Sequence, residues 1–253
     1  MPEQQLGGGE LKELAGRLTA LLSLRTLPIG MKLFDDQAEM EAVPRLRRPK
    51  AGVRHTMCQL VTHSRVAGLT LGVTVENLQS DSNCAGVPGL CQPSPQYLSG
   101  ERFTGVWFEN QEAARQHQAQ MTRVPPDRFA GVVISPLRAA RLDPPDIALF
   151  YATPGQMILF INGLQWKTYR RYDFTITGET ACSDSWGRAL ATRETSLSIP
   201  CFAERRNGGV ADDELLMALP PEELARGIEG MEGLSRSGIR YPIMPYGPQA
   251  DPA

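Results

Sequence analysis

The stretch that decides the fold is DIALFYATPGQMILFINGLQWK, residues 146–167. It opens with the apolar run 147–152, which is short enough to predict a buried strand. Pro154 follows at a position where the first turn of a helix tolerates proline, and the apolar residues continue, which predicts a helix over 154–167. One strand thus leads directly into one helix.

The same alternation extends in both directions from this stretch. Leucines at helical spacing predict an amphipathic helix over 10–24, and a second helix over 57–67 is entered through Thr56 and stopped by Gly68. We therefore predict an α+β or α/β protein with mixed sheets flanked by helices. Further helices are predicted over 110–121, 183–191 and 221–234, and strands over 29–34, 69–75, 103–108, 129–135, 173–177, 196–199 and 215–219.

The order of these elements predicts two similar αβ halves, about 28–125 and 126–235. Each half reads strand, helix, strand, cysteine-bearing loop, strand, helix, with Cys84 in the first loop and Cys182 in the second. An internal duplication would explain this order, and so would two similar units that arose by chance. If the duplication is real, a pseudo-two-fold axis brings Cys84 and Cys182 together.

The halves are expected to form a single globular unit over residues 10–246. The glycine-rich start of the chain, residues 1–9, predicts a flexible tail, and residues 247–253 are expected to form a second tail.

Composition excludes several classes of protein. The 253 residues are 42% hydrophobic and 21% charged, with a formal net charge of −2, which is typical of a soluble globular protein. A near-neutral charge argues against non-specific nucleic-acid binding. Because no apolar run approaches the roughly 20 residues of a membrane helix, and no signal-peptide pattern is visible, we expect a cytoplasmic protein without membrane or nucleic-acid partners.

The five cysteines are the chief candidates for chemistry. Disulfides are rare in a reducing compartment, so grouped cysteines there more often indicate metal binding or catalysis. No CxxC, ferredoxin-like or zinc-finger spacing is present, so any ligands must converge from distant segments. The candidate ligands are Cys58, Cys84, Cys182 and Cys201.

The local context of these cysteines favours a site over a core position. Cys84 and Cys182 lie in loops with small residues, and Cys201 follows a proline at a strand end. Cys58 lies in the first turn of a predicted helix, where the helix dipole favours thiolate. Cys91, in a proline-rich loop, is interpreted as the spare cysteine.

Four thiolates from four segments could hold a [4Fe–4S] cluster, a [2Fe–2S] cluster or a structural zinc ion. Alternatively, the cysteines are separate thiols without a shared role. His63 lies about one helical turn after Cys58 and could replace one thiolate, although a lone helix histidine is more often a packing or surface residue.

Other chemistry has weaker signals. No GxSxG, GxGxxG or P-loop motif is present, and Asp184 and Ser185 follow Cys182 without a nearby histidine. The acidic run 212–214 is interpreted as a solvated turn. Several arginines that flank the cysteine segments could bind an anionic substrate or be ordinary surface residues. They are Arg54, Arg65, Arg188, Arg205 and Arg240.

Several short segments carry a resemblance to a known family. They are MCQLV 57–61, FAGVVISPL 129–137, TPGQM 153–157, GETACSD 178–184, IPC 199–201, DDELLMALP 212–220 and GIRYP 238–242. Taken together, they resemble the archaeal and bacterial ArCR family, also called domain of unknown function 169. The resemblance spans about residues 20–246 and implies that cysteines recur at positions matching the four candidate ligands, with Cys91 outside that set. The family is common in anaerobes and archaea, which suits an iron–sulfur centre better than zinc.

The sequence therefore leads to one main expectation and two alternatives. We expect a cytoplasmic metalloprotein with one iron–sulfur cluster, [4Fe–4S] favoured, that has a redox or accessory role in anaerobic metabolism. Its partner would be an electron-transfer protein or a small-molecule substrate. The alternatives are a structural-zinc binding module and a small-anion-binding protein with no metal.

Overall fold

A computed structural model of the chain describes residues 6–79 and 83–245. The strands of these residues form a single six-stranded sheet in the order β2-β3-β1-β4-β6-β5. The strands are β1 Ile29–Phe34, β2 Leu71–Val73, β3 Gly131–Pro136, β4 Ile147–Ala152, β5 Ser196–Ser198 and β6 Leu215–Leu219.

Every neighbouring pair of these strands is antiparallel. The α+β prediction is confirmed, whereas the expectation of mixed sheets is wrong. Strand–helix alternation in a sequence is typical of adjacent parallel strands. Here β3 lies between β1 and β2, and β6 lies between β4 and β5. The connections from β1 to β2 and from β4 to β5 therefore join strands that are not neighbours in the sheet.

The strand order is symmetric about the central β1–β4 pair, with β1, β2 and β3 placed like β4, β5 and β6. The duplication itself remains a prediction. The element-by-element correspondence drawn from the sequence requires strands at 103–108 and 173–177, and neither range forms one. Residues 103–108 are a tight loop that turns at Gly105, where φ is +72°, and 173–177 has no regular structure.

Helices cover both faces of the sheet. One face carries α1, α7 and α10, and the other carries α3 and α8, with α9 packed on α3. Among these helices, none is long and apolar enough to cross a bilayer. In the described ranges they are α1 Gly8–Leu22, α2 Gln37–Glu41, α3 Met57–Ala67, α4 Asn83–Gly86, α5 Pro95–Leu98, α6 Gln111–Gln120, α7 Pro154–Leu164, α8 Trp186–Thr192, α9 Phe202–Gly208 and α10 Pro221–Arg236.

The start of α1 differs from the predicted tail. The helix begins at Gly8 because the Gly7 amide donates to Glu10 Oε2 at 2.9 Å and the Gly8 amide donates to Asp143 Oδ1 at 2.8 Å. The earliest part of that predicted tail, residues 1–5, and the predicted tail at 247–253 lie outside the described residues.

Strand β4 shows how the sheet divides the core. Ile147, Leu149 and Tyr151 face the α3–α8 side, and the alternate residues face the α1–α7–α10 side. Because both faces are covered by helices, the strand reads as a continuous apolar run rather than as an alternating one. The sheet thus separates an apolar layer from the layer that carries the cysteines.

A candidate metal centre lined by four cysteines

Four cysteines line one cavity of about 180 Å³ on the α3–α8 side of the sheet. Cys58 comes from α3, Cys84 from α4, Cys182 from the 3₁₀ turn Ala181–Ser183, and Cys201 from the N-cap of α9. They are the four that the sequence singled out. Cys91 does not line this cavity, and none of the five cysteines, all of which are described, forms a disulfide.

The N-terminus of α3 positions Cys58. Thr56 caps the helix, since its hydroxyl accepts the Gln59 amide at 3.3 Å while Gln59 Oε1 accepts the Thr56 amide at 2.9 Å. Cys58 Sγ lies 3.0 Å from Thr56 Oγ1 and donates to the Ala203 carbonyl at 3.7 Å. The second contact joins the first turn of α3 to the first turn of α9.

The segments of Cys84 and Cys182 meet by close packing. Asn83 Nδ2 donates to Thr180 Oγ1 at 3.4 Å, which joins the residues next to the two cysteine turns. Gly187 in α8 leaves no room for a side chain, because a Cβ there would lie 2.5 Å from Val87 Cγ1 and 2.9 Å from the Cys182 carbonyl oxygen. A glycine at 187 is therefore needed for the two turns to approach.

Glu204 fixes the position of Cys201. Its Oε2 accepts the Cys201 backbone amide at 2.9 Å, in a capping box in which cysteine takes the place usually held by serine or threonine. The sulfur of Cys201 accepts backbone hydrogen bonds from Glu204 and Ala181, which lower the pKa of the thiol. Burial outweighs these bonds and raises that pKa to about 11.

Burial also dominates at the other cysteines in the cavity. It raises the pKa of Cys58 to about 12 and that of Cys182 far above its ordinary value. The expectation that the helix dipole makes Cys58 a thiolate is therefore wrong for the protein by itself, because removal from water opposes the charged form more strongly. A bound cation would supply the missing compensation.

The remaining lining of the cavity mixes polar and apolar side chains, and its described residues carry no positive charge. Two carboxyl groups, Glu179 and Glu204, face it, and no lysine, arginine or histidine stands among the described residues that form its wall. A cavity of thiols and carboxyls favours a cationic or metal-centred ligand over an anion. The other lining residues are Thr56, Met57, Gln79, Asn83, Tyr97, Thr180, Trp186, Ala203 and Asn207.

The arginines proposed as anion contacts lie elsewhere. Arg65 is buried beside Glu214, with Nη1 3.1 Å from Oε1, and its guanidinium lies 4.1 Å from the ring centre of Tyr151. Arg188 pairs with Glu194, and Arg205 donates to the Ala211 carbonyl at 2.5 Å. Arg54 and Arg240 are exposed. The structure therefore places none of the five in the cysteine cavity.

Glu214 also corrects the interpretation of residues 212–214 as a solvated turn. Asp212 is exposed, and Asp213 pairs with Arg25 at the surface, but Glu214 is buried because Arg65 needs a counter-charge inside the protein.

Other candidates do not join the cavity. His63 is exposed and lies edge-on to His55, with 6.1 Å between ring centres. Asp184 and Ser185 are not part of its wall, and Ser185 donates to the Ala181 carbonyl at 3.2 Å. The geometry thus leaves the four cysteines and two glutamates as the groups that can contact a bound centre.

The cavity is larger than a single metal ion. In the described ranges no group of three or more His, Cys, Asp or Glu side chains is placed to hold one metal ion. A zinc ion requires its sulfur ligands at about 2.3 Å from one point. A volume of about 180 Å³ instead has room for about six water molecules at about 30 Å³ each.

Residues 17–230 match the family model of the uncharacterised ArCR proteins, domain of unknown function 169. The chain belongs to the ArCR family. An uncharacterised protein of Methanocaldococcus jannaschii is 22% identical to it over 226 residues, 88% of this chain and 94% of that protein. No solved structure gives a significant match to this ArCR chain.

Sequence reasoning missed Glu179 and Glu204 as site residues of this ArCR protein, and only Glu204 had a sequence signal. Glu204 lies in α9, a helix of seven residues that was not predicted. The signal was present: Glu204 stands three residues after Cys201, the spacing of a capping box. Cysteine is not among the usual N-cap residues, so the pattern was not recognised.

Proposed function

We propose that this ArCR protein binds one iron–sulfur cluster, [4Fe–4S] favoured, in the four-cysteine cavity and has a redox or accessory role in anaerobic metabolism. The observation that carries the proposal is the convergence of four cysteines on one cavity. Four cysteines that stand far apart in the sequence line one cavity, whereas the fifth does not.

The chemistry of the wall supports a metal-centred ligand. Thiolates are the usual ligands of iron–sulfur clusters, and small flanking residues such as Ala181 and Gly86 leave backbone close to the sulfurs. The absence of cationic side chains in the described wall means that four thiolates and two carboxyls would repel one another without a positive centre between them.

The size and burial of the cavity favour a cluster over a single zinc ion. The space exceeds what one ion fills. A bound cluster would supply one-electron redox chemistry, or a Lewis-acidic iron if one cysteine does not ligate. The protein's own residues hold it through the four thiolates and limit the access of water.

The partner and the location are part of the same proposal. If the four cysteines are the only ligands of one cubane, no iron is left open, which favours exchange of electrons with a protein partner over direct binding of a substrate. Thiols of this number persist without disulfides in a reducing compartment, which supports a cytoplasmic location.

The proposal is tested by purifying the protein without oxygen, recording its absorption spectrum, and assaying iron, zinc and acid-labile sulfide. We expect a brown protein that contains iron and sulfide. Cys→Ser changes at 58, 84, 182 and 201 should each reduce the colour and the iron content. Cys91→Ser is the matched control, because Cys91 lies outside the cavity, and it should retain both.

Two results would contradict the cluster. A colourless protein with one tightly held zinc would indicate a structural-zinc module. The protein could instead be colourless, folded and free of metal, and fail to take up iron and sulfide on reconstitution. That result would exclude metal ligation and favour a small-molecule-binding protein.

A further inference from the structure

Glu204 has one oxygen that the protein does not satisfy. The residue is 3% exposed, and its Oε2 accepts the Cys201 amide at 2.9 Å. Its Oε1 is buried and has no hydrogen-bond partner. Leaving a buried polar atom without a partner costs about 1–3 kcal/mol, so such atoms commonly indicate a missing ligand.

The carboxylate of Glu204 lies within electrostatic range of three of the cysteines. It contributes to the raised pKa of Cys58, Cys182 and Cys201, and for the latter two it is the largest contribution from a charge, after burial. Glu204 also lines the same cavity as all four sulfurs. The side chain of Glu204 and the four thiols therefore line one space.

The nearest positive charges are already engaged. Arg65 is held by Glu214 and Tyr151. Arg205 donates to the Ala211 carbonyl and lies 3.7 Å from Asp212. Burial accordingly raises the pKa of Glu204, and a cation in the cavity would favour its ionised form.

We propose that Glu204 Oε1 is an oxygen ligand of the metal centre, so that the site has a mixed sulfur–oxygen donor set. The inference rests on the proposed metal-binding function and adds a ligand to it. Carboxylate oxygen is an ordinary donor to zinc and to iron, and it binds beside thiolate or imidazole in many protein sites. The capping bond through Oε2 holds the carboxylate in place and leaves Oε1 available.

The test is Glu204→Gln, which keeps the helix cap. Glutamine at this position can still accept the Cys201 amide, as in an ordinary capping box, but it replaces the anionic donor by a neutral amide. The matched control is Glu10→Gln, which makes the same change at the third residue of α1, where Glu10 accepts the Gly7 amide away from the cavity.

Two measurements apply to each protein. The first is Zn²⁺ affinity of the metal-free, reduced protein by competition with a chelator. The second is the rate at which chelator bleaches the iron-loaded protein. We expect Glu204→Gln to bind the metal at least about 10- to 100-fold more weakly, which is the loss that follows removal of a residue hydrogen-bonded to a metal ligand. The variant should also bleach faster. Glu10→Gln should behave like wild type in both measurements.

X-ray absorption at the iron of the loaded wild-type protein gives an answer that does not depend on any variant being folded. A mixed donor set adds an oxygen shell, at a shorter distance, to the sulfur shell of the iron. Sulfur ligands alone would overturn the inference, as would a folded Glu204→Gln protein with wild-type affinity and bleaching rate. If wild type itself binds neither zinc nor cluster, the proposed function has failed instead.

Discussion

The two faces of the sheet are built on different principles. On the α1–α7–α10 side the packing is apolar and close: the rings of Phe150 and Phe160 meet edge to face, 4.9 Å apart. A Cβ added to Gly230 there would lie only 1.9 Å from the Gly163 carbonyl oxygen, so α10 lies directly on α7. This face leaves little space and contributes mainly to stability.

The opposite face keeps both space and buried polar groups. It contains the cysteine cavity, the unsatisfied oxygen of Glu204 and the buried Arg65–Glu214 pair. Each of these is less favourable for folding than close apolar packing would be. The comparison teaches that the apolar face supports the fold, while the cysteine face keeps a cavity that the proposed metal centre would fill.

The largest expected effect on stability comes from a substitution in the apolar face. Phe160→Ala should lower the free energy of unfolding by about 3–5 kcal/mol, because the fully buried ring leaves a cavity in a close-packed layer. Denaturant unfolding of the metal-free protein measures this. Ile158→Ala, on the same helix but 49% exposed, is the control and should change stability by no more than about 0.5 kcal/mol. Loss of stability at both positions alike would contradict the division of faces.

A second change tests the buried charges of the cysteine face. Arg65→Met should cost about 3–5 kcal/mol, since it leaves Glu214 buried without its counter-charge. Adding Glu214→Gln should restore part of the loss, and a double-mutant cycle measures the coupling. Arg25→Met, which removes the exposed partner of Asp213, is the matched control and should have no measurable effect. A cycle without coupling would show that the pair is not a unit.

The smallest expected effects on stability come from substituting a closely packed glycine on each face. Gly230→Ala and Gly187→Ala should each cost about 1–3 kcal/mol, because the added methyl meets atoms already in contact. Only Gly187→Ala should also reduce iron and sulfide content, since it displaces the Cys182 turn from Val87. Equal metal content in the two variants would show that the cysteine turns tolerate movement.

Elements with strong local signals were predicted from the sequence. The helix Met57–Ala67 has its predicted cap at Thr56 and its predicted stop at Gly68, where φ is +72°. The strands at 29–34, 147–152 and 215–219 have the predicted bounds. These signals work because capping, chain reversal at glycine and short apolar runs act over a few residues.

Elements without such signals were missed or misplaced. Residues 103–108 and 173–177 contain strand-forming residues but have no neighbouring strand to bond, so they remain irregular. Helix Phe202–Gly208 escaped prediction because it is short and begins at a cysteine.

The sequence by itself determined the class of fold and which four cysteines to examine, because propensity, capping and residue chemistry are local properties. Only the tertiary structure decided that neighbouring strands of the described sheet are antiparallel and that Cys58, Cys84, Cys182 and Cys201 share a cavity with Glu204. Strand order and burial depend on contacts between distant segments, which no local pattern records. The same contacts place Arg65 against Glu214 and leave the cavity wall with thiols and carboxyls but no cation among the residues described.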